Sequence, residues 1–304
     1  MQIAIIGAGA LGGVVGFHLA AQADVTLVDP WAEHVAVINR DGLRCEIDGV
    51  EQVRRVRAVS DPAAAGPAAV ALVLVKAQQT PWAAGAAQTL LAPDGVAYTL
   101  QNGLGNAETL AAVLGAERVG QGVTSVGATL LGPGRVRCAG LGPTTLGAQP
   151  NPTLAAELAA ACAAAGLPAS VSADLDGLVW GKLLVNVAIN ALTALLRVPN
   201  GALASIAPAR EVLTAAVAEA AAVAAARGIS LPYADPVARA LEVVEATATN
   251  RSSMLQDVLR GAATEIATIN GAIVREGTRL GVPTPVNWTL TRLVEAVEQA
   301  QRAA

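Results

Sequence analysis

The segment IAIIGAGALGGVVGFHLAAQADVTLVDP (residues 3–30) sets two short apolar runs either side of a glycine-rich turn. Ile3 to Ile6 reads as a buried strand and Gly7-Ala8-Gly9-Ala10-Leu11-Gly12 as the turn that opens a helix. Val25 to Val28 reads as a second strand, and it ends in Asp29. This order is that of a dinucleotide-binding unit with an acid at its tip. Gly7 permits the tight turn, Gly9 lets the backbone approach a diphosphate, and Gly12 lets the helix pack close to the strand. The helix then turns free N–H groups and a positive dipole end toward phosphate oxygens. A glycine-rich packing turn is the plainer alternative, but it gives no reason for Asp29 to stand at the spacing of a ribose-binding acid. A nicotinamide or flavin dinucleotide site is therefore expected here.

The chain has 304 residues, which suits two domains and a sizeable core. Apolar residues make up 53% but aromatics only 2%, so the core is expected to be Ala, Val, Leu and Ile. A net charge of −4 leaves no basic footprint for nucleic acid. Cys45, Cys138 and Cys162 form no CxxC and no zinc pattern, and read as buried thiols of a reducing compartment. Mean hydropathy is positive at +0.49. The longest apolar stretch, Leu183 to Leu196, nevertheless contains Asn186 and Asn190 and falls short of the about 18–20 clean residues of a membrane span. The alanine-rich segments near 153–166 and 211–226 carry Glu157, Glu211 and Glu219. No basic region precedes the first apolar run, so no signal peptide is expected. These features predict a cytoplasmic protein with neither membrane nor nucleic acid as partner.

To about residue 150 the pattern alternates. Residues 69–76 (AVALVLVK), 95–102 (GVAYTLQN) and 117–123 (ERVGQGV) read as strands, and 80–91 and 106–114 as helices. Continuous apolar runs between helices imply a parallel sheet covered on both faces. Residues 124–148, with turns at Gly132-Pro133-Gly134 and Gly142-Pro143, read as antiparallel strands. A helix (153–165) and a short strand (168–173) follow, and from Asp174 onward nearly every segment reads as helix. The expected fold class is α/β: a Rossmann-type dinucleotide-binding domain over 1–170 and an all-helical substrate-binding domain over 171–304. A cleft between two such domains is the natural place for a substrate. The alanine-rich faces of 211–226 and 234–249 suit the core of the second domain, and leave a homodimer open.

The run WGKLLVNVAINALTALLRVPNG (180–201) carries the first chemical constellation. Lys182, Asn186 and Asn190 recur every fourth residue and make one polar stripe that drifts slowly round a helix. Apolar neighbours surround them, and buried ammonium and amide groups need partners. A solvated helix face would more often carry Glu, Arg and Gln, so the stripe reads as an active-site wall, with Asn200 on the next turn. A second constellation is Asn250-Arg251-Ser252-Ser253-Met254-Leu255-Gln256-Asp257 followed by Thr264-Glu265-Ile266. Ser252 or Ser253 suits a helix cap, with Gln256 at capping-box distance from Ser253. Glu265, placed on a helix beside Ile266 and Ile269, reads alone as an ordinary surface acid, and paired with Lys182 across a cleft as the partner that holds the ammonium in place. A positioned ammonium can protonate a carbonyl oxygen as hydride arrives at its carbon. Lys76 and Asn102 end two strands of the sheet, where carboxyl ends line the ligand crevice, although Lys76 reads equally as a solvent residue at a strand end; Gly103-Leu104-Gly105 lets the chain pass close to a nicotinamide. Neither His18 nor His34 has a carboxylate partner in sequence, and neither is given a catalytic role.

Taken together, GAGALGG, the VK at 75–76, LQNGLGN (100–106), WGKLLVNVAIN with LTAL and PNG, SSMLQD, and TEI with ING resemble the ketopantoate reductase (2-dehydropantoate 2-reductase) family over nearly the whole chain. The resemblance implies a helical second domain similar to the C-terminal part of 6-phosphogluconate dehydrogenase. It implies an NAD(P)H-dependent oxidoreductase that reduces 2-dehydropantoate to pantoate on the way to pantothenate, with no metal. By the same resemblance Lys182 is the general acid and Glu265 orients it. Asn102, Asn186, Asn190, Asn200, Asn250 and Ser253 line the substrate site. Lys76 and Asn102 match positions beside the nicotinamide and its ribose, and so join the residues that the motif itself assigns to the cofactor: Gly7, Ala8, Gly9, Ala10, Leu11, Gly12 and Asp29. One position departs from the pattern. Where better-known members place a basic residue for the NADPH 2′-phosphate, the chain reads Asp29-Pro30-Trp31-Ala32-Glu33, with no Lys or Arg before Arg40. NADPH is the family default, and Asp29 favours NADH. Two other readings stay open: reduction of another 2-oxo acid or carbonyl with NADH, and a non-catalytic dinucleotide sensor.

Overall fold

A computed structural model describes residues 1–303 and divides into two compact units, residues 1–101 with 106–175, and 102–105 with 176 onward. The first unit runs β1 (Gln2–Ile6), α1 (Ala10–Leu19), β2 (Asp24–Val28), α2 (Ala32–Asp41), β3 (Leu43–Ile47), β4 (Val50–Arg54), β5 (Arg57–Val59), β6 (Ala68–Val73), α3 (Thr80–Leu90), β7 (Leu91–Thr99), α4 (Asn106–Leu114), β8 (Val119–Gly132), β9 (Arg135–Gly147), α5 (Pro152–Ala164) and β10 (Ala169–Ser172). The sheet order is β4-β3-β9-β8-β7-β6-β1-β2-β5, with β10 beside β9. Strands β5, β2, β1, β6, β7 and the start of β8 are parallel, whereas β8 pairs β9 and β3 pairs β4 antiparallel.

The period of two along a strand sends alternate side chains to opposite faces. Ile3 and Ile5 join Leu27, Leu72 and Tyr98 under Val14 and Phe17 of α1 and Leu158 of α5. Ala4 and Ile6 join Val28, Val73 and Ala97 under Ala83, Ala87 and Leu90 of α3 and Leu110 of α4. Two separate apolar layers therefore sandwich the parallel strands, which is why these strands are apolar without alternation.

Several boundaries differ from the sequence expectation. The 69–76 strand ends at Val73, and Lys76 instead leads a short 3-10 turn, Ala77–Gln79. The 95–102 strand begins at Leu91 and stops at Thr99. The Thr99 hydroxyl accepts from the Gln101 N–H and donates to the Gln101 side chain, which turns the backbone out of the sheet. The Gly142-Pro143 pair lies inside β9 rather than at a turn. The hairpin β3–β4 and strand β5 lie where the apolar pattern of the sequence marks no element. Its signal was Asp48-Gly49, whose φ values of 51° and 79° are those of a tight two-residue hairpin turn.

The second unit runs α6 (Asp176–Leu196), α7 (Ala202–Ser205), α8 (Ala207–Ala226), α9 (Pro236–Ala246), α10 (Ser253–Leu259), α11 (Asn270–Leu280) and α12 (Pro285–Ala303). Its core forms where Leu183, Leu184, Val187 and Ala191 of α6 meet Ala216, Val217, Ala220 and Val223 of α8, with Ala240 and Val244 of α9. At 21 residues α6 is longer than the 183–196 stretch and is long and apolar enough to cross a membrane by length and composition, yet most of it is buried within this unit. Glu219, an acid in an apolar helix, accepts from the Val286 and Asn287 amides at 2.8 and 2.9 Å and so caps α12.

Candidate active site

In the first unit the turn between β1 and α1 is built as its glycines require. Gly7 has φ +96° and packs so tightly on Val75 that a Cβ there would lie 2.7 Å from the Val75 backbone nitrogen. A Cβ on Gly12 would overlap the Gly7 carbonyl. At Gly9 a Cβ would meet nothing within 4 Å, so the turn opens there, at the N-terminus of α1. Asp29, at the end of β2, is tied to the turn itself. Its Oδ2 accepts the Ala8 N–H at 2.8 Å and its Oδ1 the Trp31 N–H at 2.9 Å. Each carboxylate oxygen keeps a lone pair for a hydroxyl donor. An open cradle at Gly9, the amides of the first turn of α1 and an anchored acid fit the diphosphate and ribose of a dinucleotide. Lys76 follows Val75, the residue that touches Gly7. The Val75 carbonyl accepts from Gln101 Nε2 at 2.8 Å, and the same nitrogen reaches the Thr80 hydroxyl at 2.9 Å. Thr80 in turn donates to Asn106 Oδ1 at 3.1 Å. This clamp on the carboxyl ends of β6 and β7 was not singled out in sequence, although Gln101 stands directly before Asn102.

In the second unit α6 presents Lys182, Asn186 and Asn190. Four residues on a helix advance about 6 Å and turn about 40° beyond a full circle. Asn186 therefore sits one turn from Lys182, whereas Asn190 is two turns away, and it is buried. Lys182 is half-buried, and desolvation pushes its ammonium down from 10.5 to about 8 while the Glu265 carboxylate acts the other way. Glu265 is itself buried and accepts from Asn102 Nδ2 at 3.1 Å. The 102–105 loop belongs to this unit: the Leu104 N–H donates to the Thr268 carbonyl at 2.9 Å, and a Cβ on Gly103 (φ +83°) would collide with that same carbonyl. Lys182, Glu265 and Asn102 thus form one cluster. Lysine occurs only at 76 and 182 in the chain, against 18 arginines. Arginine holds its proton at any ordinary pH, whereas a buried lysine can lose it, so the scarcity of lysine draws attention to Lys76 and Lys182. That count was an unused signal.

Some expectations need correction. Glu265 is not on a helix but in the turns that lead into α11. The Thr264 hydroxyl takes the Ile266 N–H, and the Glu265 carbonyl accepts from Thr268 and Ile269, closing a turn before the helix begins. The cap of α10 is Ser252, which accepts the Leu255 N–H at 3.0 Å and meets the Thr193 hydroxyl of α6 at 2.7 Å. Ser253 is exposed, and Gln256 donates to the Arg251 carbonyl instead of closing a capping box. Asn200 is buried, with Nδ2 on the Thr247 hydroxyl at 2.9 Å and Oδ1 without a partner, and its N–H donates to the Asn250 carbonyl. The Asn250 residue is exposed.

A family model described as Ketopantoate reductase PanE/ApbA matches residues 3–151, and one described as Ketopantoate reductase PanE/ApbA C terminal matches 174–298. A 2-dehydropantoate 2-reductase of Halobacterium salinarum is 40% identical over 305 residues, covering 98% of this chain and 99% of the relative. The crystal structure of a PanE/ApbA family ketopantoate reductase from Ralstonia eutropha JMP134 is similar at a TM-score of 0.91 and 38% identity, covering 99% of this chain and 100% of that one. A ternary structure of D-mandelate dehydrogenase with NADH and anilino(oxo)acetate is similar at a TM-score of 0.94 and 32% identity, with the same coverage.

Proposed function

The chain belongs to the ketopantoate reductase family, and on that premise we propose that it reduces 2-dehydropantoate to pantoate with Lys182 as general acid. A bound reduced nicotinamide dinucleotide supplies the hydride that arrives at C2. Lys182 Nζ supplies the proton to the C2 oxygen as negative charge grows there, and the neutral amine recovers its proton from water. The observation that carries this is the placement of Lys182 on α6 beside the buried Glu265 carboxylate that Asn102 holds, where burial pushes the ammonium down to about 8. Such a group is still protonated at neutral pH, yet gives its proton up far more readily than an exposed lysine. Glu265 supports the charged form, and the hydrogen bond from Asn102 fixes the carboxylate that does so. Asn186, one turn along α6, is placed to bond a substrate hydroxyl or carboxylate. Asn190, Asn200, Asn250 and Ser253 complete the proposed substrate wall, and Lys76 lies on the cofactor side.

Asp29 gives the proposed preference for NADH. A carboxylate about 4 Å from a 2′-phosphate charge repels it by about 4 kcal/mol at an effective dielectric near 20, before salt screening. The same carboxylate accepts from a 2′-hydroxyl. The similar D-mandelate dehydrogenase with NADH bound supports a cofactor site of this kind within the fold. The test is a panel of 2-oxo acids, including 2-dehydropantoate and the 2-oxo acid of mandelate, assayed with NADH and with NADPH. The highest kcat/KM is expected for 2-dehydropantoate with NADH. A tenfold higher value for a different acid would overturn the substrate assignment, and a preference for NADPH would overturn the role of Asp29.

A further inference from the structure

Two residues past Asp29, Trp31 is 39% exposed. It is not loose. Its ring stacks on His34 with centroids 5.0 Å apart and planes 12° from parallel. Its backbone N–H donates to the Asp29 carboxylate at 2.9 Å, which fixes the main chain at this position. His34 is completely buried and joins two backbone segments. Its Nδ1 accepts the Gly134 N–H at 3.0 Å, so the proton sits on Nε2, which donates to the Ala8 carbonyl of the glycine turn at 3.0 Å. The ring is thus a neutral spacer that sets the indole at a fixed height beside the turn, and burial pushes its pKa further down.

We propose that Trp31, seated on His34, is a specificity-determining residue that stacks the adenine ring of the cofactor. This rests on the reading of the first unit as a nicotinamide dinucleotide site. Adenine is joined to the ribose whose hydroxyls Asp29 is placed to accept, so the base falls next to the residues that follow Asp29. An indole with one face supported from below offers a flat apolar surface to a flat base. Neither the indole nor the neutral imidazole carries the positive charge that a 2′-phosphate would need. Asp29 and Trp31 therefore act in the same direction: the acid rejects the phosphate, and the indole restores affinity that a basic residue would otherwise supply through charge.

Binding calorimetry with NADH, AMP and reduced nicotinamide mononucleotide tests the assignment in the full chain. Trp31→Ala is expected to weaken NADH and AMP by a similar factor, about 10- to 100-fold. The mononucleotide, which lacks adenine, should bind Trp31→Ala and wild type alike. Trp31→Phe should recover most of the loss. An NADH affinity in Trp31→Ala within twofold of wild type would overturn the stacking role while leaving the proposed reaction intact. Equal loss of the mononucleotide would also overturn it, because the whole turn would then have moved. A wild-type chain that bound neither NADH nor NADPH would refute the reductase reading and this inference with it.

Discussion

Replacement of Lys182 by Met separates folding from catalysis. The ordinary lysine value of 10.5 falls to about 8 in the folded chain, a drop of roughly two and a half pH units. At 1.36 kcal/mol per unit, the fold holds the charged ammonium about 3 kcal/mol less favourably than water does. The unfolded chain keeps its proton up to 10.5 and the folded chain only to about 8. Between those values the unfolded state binds more protons, so this group makes stability rise with pH across that window, and at pH 7 its penalty is fully in force. Methionine keeps much of the stem's volume and removes the charge. Part of the gain is offset because Glu265 loses its counter-charge, although the hydrogen bond from Asn102 remains available. Thermal unfolding at pH 7 should therefore show a Tm equal to wild type or a few degrees higher, since 1 kcal/mol moves Tm by about 2–4 °C in large domains. Turnover, followed by NADH absorbance, should fall about 10²- to 10⁴-fold, with NADH affinity unchanged. A variant that kept turnover within tenfold of wild type, or lost many degrees of Tm, would refute the reasoning.

In wild type, kcat/KM for reduction should be flat up to about pH 8 and fall above it, as Lys182 loses the proton that it donates. Glu265→Gln removes the charge that raises the Lys182 pKa, so this limb should move to lower pH; a limb that stayed in place would show that Glu265 does not act on Lys182. Asp29→Asn should raise the ratio of NADPH to NADH efficiency at least about tenfold, the equivalent of 1.4 kcal/mol, while a small loss of Tm reports the N–H left without its carboxylate oxygen. His34 has a pKa lowered from 6.5 by burial, so it binds no proton in the folded chain where the unfolded chain does. Its contribution is fully present above 6.5 and is lost as pH falls toward the folded value. His34→Gln should flatten part of the fall in Tm between pH 7 and 5, and an unchanged slope would count against the buried neutral ring.

The cofactor unit was legible because its signals are local. The glycine turn, its flanking strands and Asp29 lie within 30 residues, and each glycine meets a backbone atom or an opening where the motif requires it. The Lys182 stripe was legible for the same reason, since one helical period carries it. What joins Lys182 to Glu265 and Asn102 is not local: 163 residues separate the last two, and only packing of the 102–105 loop on the helical unit brings them together. Glu265 was placed on a helix because Ile266 and Ile269 share a helical spacing, yet a Thr264 hydroxyl bond turns the chain before the helix starts. Ser252 and Ser253 are equally good caps for α10 in sequence, and neighbouring serines do not reveal which one faces Thr193. His34 carried no sequence signal at all, because its partners are backbone groups, one of them at Gly134 in the distant β8–β9 turn.

The chain's two lysines make the most direct measurement simple. With ¹³C at the lysine ε-carbons, an NMR titration of the apo protein should show two resonances, and a Lys76→Arg variant identifies the one from Lys182. That resonance should titrate at about 8. Titration at the ordinary 10.5 would mean that the fold does not prepare this ammonium to give up its proton, and the proposed general acid would have to be sought elsewhere.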